Sequence, residues 1–232
     1  MRFETTVENV ISRAYDVRSF RFPRPSDFTY KAGQFMMVTI RNREHKLRKS
    51  FSMSSSPTEE KYLEFTKKLT GHEFSNTLEA LAVGGWIEIE GPYGSFTFEG
   101  EYEKLCMLSG GVGITPLRSI CKYCTDTKLD VSIILIYGNR TEKNIIFRED
   151  FEQMQRQNRN LRVVLALDEP GEGWGGETGI INVDMLKRNV SDYLERVFYT
   201  CGPPGMVQAM TNLLKSLNTS EKQIRTENFA SY

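Results

Sequence analysis

The hydrophobic pattern of this chain changes character near Phe98–Tyr102, and that change constrains the fold more than any other feature. Before it, apolar residues alternate or cluster in short runs of β-formers: Val38-Thr39-Ile40, Tyr62-Leu63-Glu64-Phe65-Thr66 and Trp86-Ile87-Glu88-Ile89-Glu90. Turn residues separate the runs, at Pro23, Pro25, Gly33, Pro57, Gly84-Gly85, Gly91-Pro92 and Gly94. Only Phe74–Leu81 reads as a short helix. Many short strands at this spacing predict a small antiparallel barrel. After the change, continuous apolar runs appear at Leu105–Leu108, Val131–Tyr137, Leu161–Leu167 and Val197–Cys201. Amphipathic helical patterns lie between or after them, at Ile114–Tyr123, Phe147–Met154, Val183–Leu186 and Met206–Leu217. Uninterrupted apolar strands alternating with helices predict a parallel sheet covered on both faces. The 232 residues are therefore read as two domains. Residues 1–99 form an antiparallel β-barrel, and residues 100–232 form a Rossmann-like α/β domain with a parallel sheet.

Two glycine turns stand at strand ends in the second domain. Leu105-Cys106-Met107-Leu108 leads into Gly110-Gly111-Val112-Gly113-Ile114-Thr115-Pro116. Glycines let a backbone approach a pyrophosphate, and a helix N-terminus offers free N–H groups and a positive dipole end. Gly111-x-Gly113-x-x-Pro116 departs from the dinucleotide fingerprint only in its last position. Proline suits a first helical turn, where its missing N–H costs nothing. The second turn, Gly202-Pro203-Pro204-Gly205, follows Val197–Cys201. Parallel sheets bind ligands at the carboxyl ends of their strands. Two such turns predict a clamp, with Gly110, Gly111, Gly113, Thr115 and Pro116 at the pyrophosphate and Cys201, Gly202 and Pro203 at the nicotinamide. Cys201 has no neighbouring base to make it a nucleophile, so a steric and polar contact is the role expected of it.

Composition narrows the remaining classes. The formal net charge is zero, which gives no support to nucleic-acid or membrane-surface binding. Cys121-x-x-Cys124 lies within a predicted helix and lacks the second ligand pair that a metal site needs, so no metal is expected. No apolar run approaches the roughly 18 residues of a membrane span, and Met1-Arg2-Phe3-Glu4 opens on strand-like alternation rather than a signal-peptide core. A cytoplasmic location is the expectation.

Lys49-Ser50-Phe51-Ser52-Met53-Ser54-Ser55 is dense in hydroxyls. Here the chain resembles the ferredoxin–NAD(P)H reductase superfamily, which carries Arg-x-Tyr-Ser-x-x-Ser on a barrel strand and holds FAD or FMN with it. Lys49, Phe51, Ser52 and Ser55 occupy the matching positions. The turns at Gly111–Pro116 and Cys201–Pro204 are similar to the family's two nicotinamide-nucleotide motifs. Lesser matches are Ala32-Gly33-Gln34-Phe35, Gly91-Pro92-x-Gly94, Tyr137-Gly138-Asn139-Arg140 and Trp174-x-Gly176-x-x-Gly179. The motifs run through nearly the whole chain in the family's order. Lys49 departs from the pattern: arginine presents a planar fork to phosphate, whereas lysine is a point charge. FAD is the flavin the resemblance favours, with FMN the alternative.

The resemblance implies hydride transfer from the C4 of NADH or NADPH to the N5 of the flavin, and one-electron delivery onward to a ferredoxin, an oxygenase component or another acceptor. It implies flavin contacts from Lys49, Ser50, Phe51, Ser52, Lys67 and Lys68, and a second phosphate turn at Gly71, with Ser75 beginning or capping the short helix. Ser52 is expected near flavin N5. Glu227 is expected to orient the nicotinamide or relay a proton, and the terminal aromatics Phe229 and Tyr232 to cover the flavin. Arg140, with Lys143, is placed to hold a 2′-phosphate, yet the same loop is similar to that of NADH-using relatives. The cation-rich stretch Arg41–Lys49 is read as a loop that is solvated, clamps the adenine side of FAD, or docks an acidic partner. The sequence contains no plant-type Cys-x4-Cys-x2-Cys segment, so an iron–sulfur acceptor is expected on another chain. Two other functions remain open: an electron-transfer subunit inactive alone, and a regulatory nucleotide-binding module without flavin.

Overall fold

The computed structural model describes residues 1–43 and 45–229; Tyr232 lies outside them. The first part contains β1 (Arg2–Thr6), β2 (Asn9–Ala14), β3 (Val17–Pro23), β4 (Phe35–Asn42), β5 (His45–Ser52), β6 (Tyr62–Lys68) and β7 (Trp86–Tyr93). They form two antiparallel sheets, in the orders β1-β7-β4-β5 and β2-β3-β6. A bridge from Met53 to Phe65 carries the chain after β5 onto β6 and brings the two sheets together. Inward residues such as Phe20, Met36, Val38, Ile40, Phe65, Ile87 and Ile89 fill the barrel. The short helix is α1 (Glu73–Glu79).

The cation-rich stretch is not a loop. Arg41 to Lys49 spans the β4–β5 hairpin, with Asn42 opposite His45 and a left-handed Arg43 in its turn. Ion pairs that reach over β4 to β7 accommodate its charges: Lys46 with Glu88 at 3.3 Å and Arg48 with Glu90 at 2.7 Å. Opposite charges within reach on the sheet surface offset the repulsion among the cations, so a run of cations there is compatible with a strand once β7 brings Glu88 and Glu90 to the far side of β4.

The second part contains β8 (Lys104–Gly110), α2 (Ile114–Asp126), β9 (Ser132–Asn139), α3 (Arg148–Gln157), β10 (Leu161–Leu167), β11 (Glu177–Thr178), α4 (Val183–Asn189), β12 (Val197–Gly202), α5 (Pro204–Ser216) and β13 (Ile224–Asn228). Its sheet is parallel throughout, in the order β11-β10-β9-β8-β12-β13. Leu105, Met107, Ile133 and Leu135 pack one face under α2 and α3, while Cys106, Leu108, Ile134 and Ile136 pack the other under α4 and α5. Burial on both faces is what the continuous apolar runs require. The strand order reverses between β8 and β12, and a crevice at such a switch point is where open α/β sheets bind ligands. Both glycine turns leave the sheet there. Among the described residues no helix is long and apolar enough to cross a membrane.

Candidate functional site

Two cavities meet the strand ends. The first, of about 440 Å³, lies between the barrel and the sheet. From the barrel it takes Phe35, Met37, Thr66, Lys67 and the whole run Arg48–Ser52; from the sheet it takes Thr115, Glu227, Asn228 and Phe229. The second, of about 930 Å³, is an open groove over the carboxyl ends of β8, β9 and β10. Its floor includes Gly110, Gly111, Gly138 and Asn139, and one end carries Arg140, Asp168 and Glu169.

The barrel cavity is chemically mixed. Phe51 forms a wall, held from behind by Phe65 at 4.8 Å and Phe74 at 5.6 Å between ring centroids. Lys67 is 4% exposed. Burial, with Lys49 and Lys68 adding like charge, lowers its ammonium to about 8. Such a group favours an anion beside it. Lys68, its neighbour along β6, lines the groove instead and pairs with Asp16 at 3.4 Å. Successive strand side chains point to opposite faces, so the two lysines line different cavities, and Lys68 does not line the barrel cavity with Lys49 and Lys67.

At the inner end of the cavity, Ser52 donates a hydrogen bond to Glu227 at 3.1 Å. Burial raises the Glu227 carboxyl to about 7 against the opposing effect of that hydrogen bond. The parallel ladder sets Glu227 beside Cys201, and Cys201 beside Ser109. Three residues far apart in sequence thus share one row across β13, β12 and β8. Cys201 is fully buried and lines neither cavity. Its thiol donates to the Gly113 carbonyl at 2.7 Å, and burial holds it well above the ordinary thiol range.

The glycine turn closes tightly on its neighbour. A Cβ on Gly113 would lie 2.4 Å from the Cys201 carbonyl oxygen and 2.8 Å from the Gly202 Cα, so only glycine lets the two turns touch. Gly111 takes the left-handed φ of 52° that starts the turn. Thr115, expected at the pyrophosphate, reaches the barrel cavity, because the helix N-terminus points across the domain boundary. Pro116 is buried in α2 and lines neither cavity; nor do Gly202 and Pro203, which lead into α5. Gly71 and Ser75 also lie outside the lining of the barrel cavity. Ser75 is not the helix cap: that position is His72, and the Ser75 hydroxyl accepts from the Thr70 N–H at 3.2 Å. Phe229 stands at the cavity edge, where its N–H donates to the Gly202 carbonyl at 2.9 Å. Arg140 lines the groove and pairs with Glu169 at 3.0 Å.

Phe35 and Met37 also wall the barrel cavity; in the sequence Phe35 stands out only through the Ala32–Phe35 match, and Met37 carries no motif signal. Asp168 and Glu169 carried no motif signal beyond their place after a strand. The buried hydroxyls, paired cations and aromatic wall fit a flavin with an anionic phosphate tail, and the backbone-built groove fits a dinucleotide.

Comparison with known proteins agrees with that geometry. Residues 3–98 match the model of the oxidoreductase FAD-binding domain, and residues 107–212 that of the oxidoreductase NAD-binding domain. The chain belongs to the ferredoxin–NAD(P)H reductase-like flavoproteins, whose two domains bind FAD and a nicotinamide nucleotide. Among its relatives is the glycine betaine monooxygenase reductase subunit of Chromohalobacter salexigens, 34% identical over 95% of this chain and 62% of that protein. The propane 2-monooxygenase reductase component of Rhodococcus jostii is 30% identical over 98% of this chain and 63% of that one. The chain thus spans about three fifths of these relatives' length. Its fold also matches a ferredoxin NADP+ reductase from Neisseria gonorrhoeae with bound FAD and NADP, with a TM-score of 0.82 at 21% identity over 98% of both chains.

Proposed function

We propose that this chain is an NADH-dependent flavin reductase that passes electrons to a separate acceptor, such as a ferredoxin or an oxygenase component. The observation that carries this reading is the Ser52–Glu227 hydrogen bond. It ties the flavin strand of the barrel to the last strand of the dinucleotide sheet, at the one place where the two ligands must meet.

In this reading residues 1–99 hold FAD and residues 100–232 hold the coenzyme. Lys49 and Lys67 face the flavin phosphates, Phe51 and Phe229 cover its rings, and Ser52 sets its hydroxyl near its reactive nitrogen. The Gly110–Gly113 turn takes the coenzyme pyrophosphate on its backbone. Glu227, with a carboxyl near neutrality, holds or releases a proton beside the reacting atoms. Cys201 supports the Gly113 turn from below. When bound, the flavin accepts a hydride from the coenzyme and releases electrons singly. NADH is favoured over NADPH because Asp168 and Glu169 line the ribose end of the groove and Glu169 engages Arg140. Carboxylates accept from a ribose 2′-hydroxyl and repel a 2′-phosphate. Relatives that serve as reductase components of monooxygenases support an acceptor on another protein. Relatives named as a reductase subunit and a reductase component support a second reading, in which it works as the electron-transfer subunit of a larger complex. A cytoplasmic site of action accords with both.

The test is anaerobic titration of the FAD-loaded protein with each coenzyme. NADH bleaching the flavin at least tenfold faster than NADPH is the expected result. Protein that takes up no flavin would overturn the reading, and bleaching only after a partner protein is added would favour the subunit.

A further inference from the structure

An arginine is buried in α2 beside Leu117, Ile120 and Cys121. Arg118 is 4% exposed. Its guanidinium donates to the Ser54 carbonyl at 3.0 Å, to both carboxylate oxygens of Glu59, and to Asp150 at 2.7 Å. Ser54 and Glu59 belong to the barrel; Asp150 belongs to α3. The next residue, Ser119, donates to the Ser55 carbonyl at 2.7 Å. Farther along the same helix, Asp126 accepts from Thr58 at 2.5 Å. Four residues of the segment 54–59, which follows the flavin strand within two residues of Ser52, are thus held by one helix.

The grip has a second side. Phe147, at the start of α3 and in the left-handed region at φ 58°, lies between two arginines. The Arg13 guanidinium, from the barrel, is 4.4 Å from its ring centroid, and that of Arg118 is 5.6 Å. Arg13 is itself held by Glu64 at 3.0 Å and Ser19 at 2.9 Å, and Glu64 accepts from Ser54 at 2.8 Å. The contacts close a ring through both domains. A left-handed phenylalanine persists only where its surroundings over-determine it. Burial works against the charged form of Glu59, yet Arg118 overrides it and holds that carboxyl at about 2. The ion pair therefore stays formed throughout the working pH range.

We propose that Arg118 is a positioning residue: it latches α2, whose N-terminus carries the dinucleotide turn, onto the segment that follows the flavin strand, and so sets how closely the nicotinamide approaches the flavin. This rests on the two-ligand reading above. Arg118 touches neither cavity. It fixes the geometry between two sites that are each complete without it. Orientation of two reactants is worth orders of magnitude in rate, and a bidentate buried arginine holds geometry more firmly than a lysine would.

The variants Arg118→Met, Arg118→Lys and Ser119→Ala, in the FAD-loaded protein, test this. Four quantities are read: flavin content, the dissociation constant for ADP-ribose, the long-wavelength charge-transfer absorbance on adding coenzyme, and the rate of flavin reduction at saturating NADH. Amide exchange of residues 54–59 and 114–120 in the flavin-free protein gives a readout independent of turnover. Arg118→Met is expected to keep one FAD per chain and ADP-ribose affinity within twofold. It should lose the charge-transfer absorbance, slow saturated reduction at least tenfold, and speed exchange in both segments at least tenfold. Arg118→Lys should recover part of the absorbance and rate, and Ser119→Ala should show a milder version of the loss. Should Arg118→Met fail to fold, Arg118→Lys and Ser119→Ala carry the test by the same criteria. Absorbance and saturated rate within twofold of the parent in the folded variants would overturn the proposal. So would a parallel loss of flavin, ADP-ribose binding and rate, which marks Arg118 as a general structural support. If neither coenzyme reduces even the parent protein, it is the two-ligand reading that fails, and the exchange data alone still decide whether the latch exists.

Discussion

The two cavities differ in how they are built. The barrel cavity is made of side chains: an aromatic wall at Phe51, cations at Lys49 and Lys67, and a carboxyl at Glu227. Its buried titratable groups are displaced, Lys67 down to about 8 and Glu227 up to about 7, each chiefly by burial. The groove is about twice as large, and its floor includes backbone at Gly110, Gly111 and Gly138. Desolvated side chains bear an energetic cost that a bound ligand relieves. In the groove the charged side chains Lys68, Arg140, Asp168 and Glu169 are exposed and carry little such cost, and among the lining side chains it is the uncharged amide of Asn139 that is buried without a partner. The first arrangement suits a resident group held through many turnovers; the second suits a coenzyme that arrives and leaves.

The largest way to break the contrast is Gly113→Ala. The added methyl would meet backbone at the Cys201 oxygen and the Gly202 Cα, with the Ser109 hydroxyl close behind at 2.9 Å, and overpacking of this kind costs about 3 kcal/mol. Thermal unfolding should register that loss. Calorimetric titration with NAD+ should show binding weakened at least tenfold, while flavin content stays near one per chain. Loss of flavin with coenzyme binding unchanged would reverse the assignment of the two cavities.

A smaller effect sharpens the other side. The Glu227 carboxyl lies above its unfolded value. Its contribution to stability is therefore complete below about pH 4.5 and is lost as pH rises through about 7. Glu227→Gln mimics the protonated form. In the flavin-free protein the variant should match the parent near pH 4 and exceed it at pH 8 by about 2 kcal/mol, measured by urea unfolding across that range. The pH dependence of flavin reduction should lose its inflection near 7 in the same variant. Equal stability of the two proteins at pH 8 would show that Glu227 is not desolvated.

Much of this was legible in the sequence because it depends on local pattern. The strand–turn–helix at Gly110–Pro116 is carried by consecutive residues, and the structure forms it where the glycines stand. The barrel motif likewise lines one cavity from Arg48 to Ser52. What escaped depends on partners distant in the chain. The β4–β5 hairpin reads as a loop because its cations conceal strand character until Glu88 and Glu90 reach them from β7 across β4. Strand β13 is mostly polar and is a strand only because β12 offers it an edge. Lys67 and Lys68 look equivalent until the pleat sends them to different cavities. Arg118 did leave a trace: a charge between Leu117 and Ile120 on the packing side of α2. Its meaning required Glu59, from the other domain.

The central claim is that one cavity retains its ligand and the other exchanges it. Desalting the protein after incubation with FAD and NAD+ together tests this most directly, with both ligands quantified in the protein fraction. One FAD per chain, with NAD+ removed to background, is the expected result. Retention of NAD+ with loss of FAD, or loss of both, would contradict it.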